Sequence, residues 1–421
     1  MSLSEESVFG YSKMMISSVV TTSGVLYRQH ADLLHEIGDL RVYVKGQKIP
    51  LHGIDYHLEE GFRLSANIPY PAIVSSGSTF FFHTIEEVLA FIRRFPHPAV
   101  QIPKMIREAA GLLASGKLVA FPTETVYGLG ADATNVEAVK RIFTAKERPT
   151  FDPLIVHIAH LEQLNGVVLD WDDRAQTLAE HFWPGPLTLV VKKDPAIDDL
   201  VTAGSWTVAV RMPANPIARS LIALSGKPIA APSANLFGQT SPTSAAHVHE
   251  QLAGRIDAIV DGGSCTVGIE STVLSLVSEV PAILRPGKIG MKELLPFLPD
   301  LVLSPQIGVG GAPLESPGLL DTHYAPKTPL FLVEDLSAYT RRKDLGILLF
   351  EESSLSFEGE VIFISRKADP LEAARTLYRA MRTLDQKGLT ALIAKRLPDE
   401  GIGLAINNRL EKAASKDLVK R

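Results

Sequence analysis

The chain has 421 residues, enough for two or three domains at roughly 150 residues each. A hydrophobic content of 46% with 21% charged residues belongs to a folded globular chain and excludes wholesale disorder, and a formal net charge of −5 excludes a protein that coats nucleic acid through bulk charge. The single cysteine, Cys265, excludes an internal disulfide and any multi-cysteine zinc site and fits a reducing compartment such as the cytoplasm, while no apolar run approaches the roughly 18 residues of a membrane span.

Residues 1–100 read as a small α+β segment of their own. The apolar patch 14–20 is short and follows Glu5 and Glu6, so it reads as mature sequence and not as a signal peptide. Residues 31–37 have helical spacing, and 40–44, 61–68 and 79–83 have strand character. Thr84-x-x-Glu87 is a capping box that opens a helix through Arg94. The segment carries no recognisable chemistry, and Phe80-Phe81-Phe82 reads as core or docking surface.

From Pro103 the signals become regular. Pro103 opens a helix that Gly116 closes, and residues 118–121 form a short buried strand. The strand runs into Pro122-Thr123-Glu124-Thr125-Val126-Tyr127-Gly128-Leu129-Gly130, where two hydroxyls and a carboxylate share one glycine-flanked turn. Taken alone this is either an ordinary polar turn or the edge of a site, since α/β sheets keep ligands where strands open into loops. Thr134-x-x-Glu137 then caps a helix with Val136, Val139, Ile142 and Phe143 on one face, ending at Lys146, Arg148 and Pro149. The two cations either answer the helix dipole, worth about 0.3–1 kcal/mol, or bind an anion.

Residues 153–158 form a strand that His157 interrupts. A helix over 171–182 ends at Trp183-Pro184-Gly185-Pro186, strands follow over 187–191 and 206–211, and Arg211 stands at the end of the latter. Asn215-Pro216 starts a helix that Gly226 ends. A strand then runs into Pro232-Ser233-Ala234-Asn235, Ser241-Pro242 opens the next helix with Ser241 as its cap, and residues 257–261 are a strand closed by Gly262-Gly263. Glu270-Ser271-Thr272-Val273 and Ile283-Leu284-Arg285-Pro286-Gly287 complete the region. Several strand ends thus finish in Thr, Ser, Asn or Arg, which predicts one cleft lined with hydroxyls and guanidinium groups. Guanidinium forks bind phosphate or carboxylate in bidentate fashion. The chain has no Gly-x-Ser-x-Gly elbow, no Cys–His signature, no His-Glu-x-x-His and no Gly-x-x-x-x-Gly-Lys-Ser/Thr loop. Anion binders without a protein nucleophile suit phosphoryl or nucleotidyl transfer by positioning.

These motifs, in this order and spacing, closely resemble the YrdC-like domain of threonylcarbamoyl-AMP synthases over residues 103–290. Those that carry the likeness are Pro122 to Leu129, Lys146-x-Arg148-Pro149, Pro153 to His157, Trp183 to Thr188, Val210-Arg211-Met212-Pro213, Pro232 to Asn235, Glu270 to Val273 and Leu284 to Gly287. Ser316-Pro317-Gly318 through His323-Tyr324-Ala325-Pro326 resembles the linker of the family's long form. Residues 373–414, with Gly401-Ile402-Gly403 and Asn407-Asn408-Arg409, resemble its C-terminal domain. Leu319-Leu320-Asp321-Thr322 stands where long-form members carry a basic residue and an aromatic.

The resemblance implies an α/β fold: a twisted mixed sheet with helices over 101–300, a linker or lid over 301–329 and a small Rossmann-like domain over 330–421, behind an α+β segment over 1–100. It implies synthesis of threonylcarbamoyl-AMP and pyrophosphate from ATP, bicarbonate or CO2 and L-threonine, in the cytoplasm, for N6-threonylcarbamoyladenosine in tRNA. Carried over residue by residue, Thr125, His157, Arg211, Ala231 and Ser271 would hold threonine. Lys146, Arg148, Ser233 and Asn235 would serve the phosphates and catalysis, and Asp152, Thr207, Ser241, Arg285 and Tyr324 would complete the ATP site with Arg148 and Ser233. Mg2+ would arrive with ATP, held by phosphate oxygens and water; tRNA and a downstream threonylcarbamoyl-transferase are the implied partners. Hydrogenase-maturing carbamoyltransferases share the domain but carry cysteine-rich zinc fingers, which one cysteine excludes. An RNA-binding module without catalysis is the alternative of a different class, and the acidic net charge speaks against it.

Overall fold

The structure, a computed structural model, describes residues 41–43, 62–65, 79–82, 104–304 and 323–415. The chain divides into two compact units, Met1–Glu108 and Ala109–Arg421. In the first, β1 (Arg41–Tyr43), β2 (Phe62–Ser65) and β3 (Thr79–Phe82) form an antiparallel sheet in that order, each inside a segment with predicted strand character. The helices expected over 31–37 and after Thr84 lie outside the described residues, as does Leu319-Leu320-Asp321-Thr322.

The second unit begins within α1 (Lys104–Ala114), which is closed by Gly116 with a φ of 76°. Its elements are β4 (Val119–Phe121), β5 (Gly128–Asp132), α2 (Val136–Lys146), β6 (Ile155–His157), α3 (Asp173–Phe182), β7 (Leu187–Lys192), α4 (Asp199–Thr202), β8 (Thr207–Arg211), α5 (Pro216–Ser225), β9 (Ile229–Ala230), α6 (Ala245–Leu252), β10 (Ala258–Ile259), β11 (Thr272–Ser275), β12 (Ala282–Arg285), α7 (Met291–Leu294) and β13 (Val302–Leu303). The ten strands make one mixed sheet in the order β10-β4-β5-β9-β6-β8-β7-β11-β12-β13. Beyond it, β14 (Leu330–Leu332), β15 (Leu345–Leu349), β16 (Glu360–Phe363), α8 (Pro370–Asp385), β17 (Ala391–Ala394) and α9 (Ile402–Ala413) form a parallel sheet in the order β14-β17-β15-β16 with its helices. Among the described residues no helix is long and apolar enough to cross a membrane.

Strand periodicity explains how the large sheet offers a free face. Successive side chains on a strand point to opposite faces. Val156 on β6 and Val208 and Val210 on β8 enter the main core, whereas Ile155, His157, Ala209 and Arg211 point the other way. The aromatic edge of Phe121 meets His157, with ring centroids 6.4 Å apart at 87°. Gly130 makes room for that ring, because a Cβ there would sit 2.7 Å from Phe121 Cε1 and 2.9 Å from Ile229 Cγ2.

Two helix starts differ from their predicted caps, and a third from its predicted first residue. Asn135, not Thr134, caps α2, accepting from the backbone N–H groups of Glu137 and Ala138; Thr134 instead donates to Asp132. The helix expected from residue 171 begins at Asp173, because the Asp172 carboxylate accepts from Ala175 N. Ser244 caps α6, and Ser241 is buried elsewhere. Asn215 with Pro216 opens α5, and Gly226 in the left-handed region closes it, as expected.

The C-terminal sheet does not close its own core. Val126, Val267 and Ile269 belong to the same apolar cluster as Ala373, Ala374, Leu377 and Tyr378 of α8 and Ala405, Ile406 and Leu410 of α9. Gly268 stands at the closest approach, with a φ of 86° and a virtual Cβ only 2.4 Å from the Arg375 Cα. Gly268→Ala meets both the left-handed penalty, about 1–2 kcal/mol, and a backbone collision. Urea unfolding should therefore show a loss of at least about 2 kcal/mol. An unchanged midpoint would contradict this packing of α8.

Candidate active site

The turn after β4 is tied by its own hydroxyls. Thr123 Oγ1 accepts from the backbone N–H groups of Thr125 (3.1 Å) and Val126 (3.2 Å), donates to Val126 O (2.6 Å) and lies 2.8 Å from Thr125 Oγ1. This is the local side-chain-to-backbone bonding by which threonine shapes turns. With the Thr123 proton given to Val126 O, the Thr125 hydroxyl donates to Thr123, and its remaining acceptor capacity faces Arg211 and the cleft.

Arg211 is held on three sides. Its Nε donates to Gly185 O (3.1 Å), Nη1 to Thr125 Oγ1 (3.0 Å) and Nη2 to Glu124 Oε1 (2.5 Å), while Glu124 Oε2 accepts from Ala214 N (3.1 Å). Arg211 and Glu124 are both buried, so this is a paired charge in a dry wall. A guanidinium has five N–H groups and three are accounted for here, which leaves two for an anion in the cleft. On the opposite wall Ser271 Oγ lies 2.8 Å from Thr188 Oγ1 and accepts from Arg285 Nη2 (3.2 Å), whose Nε donates to Ser271 O.

The cations after α2 divide into two roles. The helix stops at Lys146 because Glu147 takes a left-handed conformation, which returns Arg148 N to Phe143 O. Arg148 faces the cleft, its Nε donating to Asp152 O (3.1 Å) and Nη2 to Pro153 O (2.8 Å). Asp152 Oδ2 sits 2.9 Å from Arg148 Nη2, but the contact is too bent for a hydrogen bond, so both carboxylate oxygens lack one. Lys146 does not line the cleft. Its buried ammonium donates to Ser233 O and Asn235 O, pinning the loop that carries Ser233. Burial, then repulsion from Arg148, holds that amine well below its ordinary pKa. The helix dipole is thus incidental to Lys146.

One cleft gathers Thr125, Arg148, His157, Arg211, Ala231, Ser233, Ser271, Arg285 and Tyr324. It leaves out Lys146, Asp152, Thr207, Asn235 and Ser241. Thr207 stands at the far end of β8 from Arg211, about 13 Å away along the strand, where its hydroxyl pairs with Ser205. Asn235 turns its amide nitrogen to Leu236 O and Gln239 O, and Ser241 donates to Glu270 Oε1. Ser241 and Lys146 therefore support the wall from behind.

Sequence reasoning gave no role to Thr123, Glu124, Glu270 or His323. All but Glu124 line the cleft, where Glu270 is bonded to Tyr378 and Arg409 of the C-terminal helices. Arg409 was legible in part. It falls four residues after Ala405 and three after Ile406, which places it on the buried face of α9. His323 and Tyr324 enter from the linker, His323 N donating to Lys412 O and Ala325 N to Gly238 O, so the segment is fastened on both sides. Cys265 is buried and its thiol pushed up to about 12, which removes it as a nucleophile.

Comparison with known proteins agrees with this geometry. Residues 111–287 match the family described as "Telomere recombination", and residues 292–415 match the C-terminal domain of threonylcarbamoyl-AMP synthase. The chain is 44% identical over 326 residues to threonylcarbamoyl-AMP synthase of Pyrococcus abyssi, covering 75% of this chain and 95% of that one. It is also 44% identical over 328 residues to the Bacillus subtilis protein of that name, covering 75% and 94%. The crystal structure of Pyrococcus abyssi Sua5 complexed with L-threonine superposes with a TM-score of 0.69 at 43% identity, covering 73% of this chain and 94% of that one.

Two cleft histidines make the fold acid-sensitive. Burial, then the charge of Arg211, lowers His157 to about 3; burial, then Arg148, lowers His323 to about 3. Both are therefore neutral at working pH. Because the unfolded chain takes up these protons first, near 6.5, their contribution is complete above pH 6.5 and is lost as pH falls toward 3. Each adds a slope of about 1.4 kcal/mol per pH unit. Urea unfolding between pH 7.5 and 4.5 should show stability level above 6.5 and falling below it by up to about 3 kcal/mol per unit. A flat profile would contradict the burial of these rings.

Proposed function

The chain belongs to the threonylcarbamoyl-AMP synthase family, and from that membership we propose that the cleft joins ATP, bicarbonate and L-threonine to give threonylcarbamoyl-AMP and pyrophosphate. The observation that supports this most is the pairing of one wall of hydroxyls around Arg211 with a second wall carrying Arg148 and Arg285. The first suits a small amino acid, the second a triphosphate.

The two N–H groups left on Arg211 take the threonine carboxylate as a bidentate partner. Glu124 and Gly185 O fix the guanidinium plane, so threonine meets a preorganised fork and not a mobile side chain. Thr125 Oγ1, with its own proton committed to Thr123, accepts from the substrate's amino or hydroxyl group. His157, held neutral, lies beside Arg211 without adding a second positive charge to the threonine wall. Ala231 and Ile155 supply an apolar floor.

The substrates supply the nucleophile. An N–C bond forms between the threonine amine and the carbon of bicarbonate, water leaves, and the carbamate oxygen attacks the α-phosphorus while the bond to the β-phosphate breaks. Arg148 and Arg285 neutralise charge on the triphosphate as pyrophosphate departs, and Ser233 adds a hydroxyl contact. Lys146, Asn235 and Ser241 act by holding the loops that present these groups.

Mg2+ would accompany ATP. Among the described residues no group of three His, Cys, Asp or Glu side chains could hold a metal, and Glu270 in the cleft and Glu124 behind Arg211 are each paired with an arginine. The donor set therefore fits an ion held by phosphate oxygens and water. We place the reaction in the cytoplasm, upstream of threonylcarbamoyl transfer to tRNA.

Purified chain given ATP, Mg2+, bicarbonate and L-threonine should release pyrophosphate only when threonine is present. Threonine-independent release, or none, would sink the synthase reading. Arg148→Ala should lower kcat by roughly a hundred-fold or more with the fold intact. Lys146→Ala should abolish turnover and also lower the melting temperature, because two buried carbonyls lose their donor. Arg211→Ala should raise the threonine KM by roughly ten- to a hundred-fold, the worth of a charged hydrogen bond. A change confined to ATP affinity would reassign Arg211.

A further inference from the structure

Glu270 is a cleft carboxylate whose partners come largely from another domain. Its Oε1 accepts from Ser241 Oγ at 2.6 Å, and its Oε2 accepts from the Tyr378 hydroxyl at 2.8 Å and Arg409 Nε at 2.7 Å. Tyr378 lies on α8 and Arg409 on α9, so both helices of the C-terminal domain close on one carboxylate of the catalytic sheet. All three side chains are buried, and Arg409 is 1% exposed, the largest side chain so deeply enclosed among the described residues. Three donors thus answer the two carboxylate oxygens, which is the condition for keeping an ion pair in a dry interior.

The same guanidinium has a second contact. Its Cζ lies 5.3 Å from the centroid of the Tyr324 ring, and Tyr324 stacks on Tyr378 at 6.0 Å and 29°. Tyr324 holds a left-handed backbone with a φ of 64°, its carbonyl accepting from Thr240 Oγ1, and its ring lines the cleft with Arg148 and Arg285. The side chains of the threonine wall are fixed differently. Thr125 rests on Thr123 and Arg211, and Arg211 on Gly185 and Glu124, all within the catalytic domain.

We propose that Arg409, with Tyr378, is a positioning residue for adenylation: the C-terminal domain fixes Glu270 and Tyr324, and through them the nucleotide wall, while the Thr125 and Arg211 side chains of the threonine wall take their hydrogen bonds from the catalytic domain. The inference rests on the synthase reading of the cleft. Arg409 is not among the cleft-lining residues, so it acts through its two partners. Its planar fork is what lets one side chain bond a carboxylate edge-on and stack on a ring, which a lysine does not reproduce.

The test uses the full chain and reads binding apart from turnover: Kd for α,β-methylene ATP and for L-threonine by calorimetry, then KM and kcat from pyrophosphate release. Arg409→Met should weaken nucleotide binding tenfold or more and lower kcat tenfold or more. Its L-threonine Kd should stay within threefold of wild type, which also reports that the cleft is folded. Arg409→Lys should recover only part of the loss. Tyr378→Phe, which deletes one hydroxyl and keeps the ring, should weaken nucleotide binding about threefold with the same selectivity, and it serves if Arg409→Met does not fold. Wild-type nucleotide binding and kcat in either folded variant would overturn the proposal. So would a parallel loss of L-threonine affinity, since Arg409 would then be a general strut. A wild-type chain that binds both ligands but releases no threonine-dependent pyrophosphate would overturn the synthase reading instead, and the binding constants would still decide the role of Arg409.

Discussion

A guanidinium taken out of water must have its N–H groups answered, and the cleft is built around that demand. Arg148, Arg211 and Arg285 are all nearly enclosed, at 6%, 3% and 4% exposure. Arg148 is met by two backbone carbonyls and Asp152, Arg211 by Gly185 O, Thr125 and Glu124, and Arg285 by the carbonyl and hydroxyl of Ser271. Fixing the guanidinium planes in this way costs ordering entropy during folding and not during reaction, which is how a site without a nucleophile of its own accelerates a displacement.

The same demand links the domains. Arg409 brings a fourth buried guanidinium to the site from α9, and its charge is answered by Glu270, next to Ser271 just before β11. Around this pair the apolar cluster of α8 and α9 takes in Val126, Val267 and Ile269, and Gly268 lets the Arg375 backbone approach. Val267 N and Gly268 N in turn bond the carbonyls of Glu124 and Thr125. The C-terminal domain is therefore part of the wall behind the cleft and does not hang from a free tether.

Much of this was legible in the sequence where a local rule governs. Asn215-Pro216 and Gly226 bounded α5, and the ordered motifs placed most of the cleft lining. Local rules failed where two partners competed for one residue. Thr134 lost its capping role because Asp132 accepts from it, and Ser241 lost its own because Glu270, 29 residues away, claims its hydroxyl. Lys146 looked like a ligand-facing cation, since nothing local reveals that Ser233 O and Asn235 O converge on it. Arg409 could be assigned to a buried helix face, but its carboxylate lies 139 residues earlier and only the tertiary fold joins them.

The central claim is that the cleft activates a carbamate of threonine and not threonine itself, and labelled bicarbonate tests it most directly. Purified chain is incubated with 13C-bicarbonate, ATP, Mg2+ and L-threonine, and the adenylated product is analysed by mass spectrometry. The account predicts a species containing threonine and AMP with the labelled carbon between them. An unlabelled threonyl adenylate, or AMP and pyrophosphate with no threonine-containing product, would contradict it.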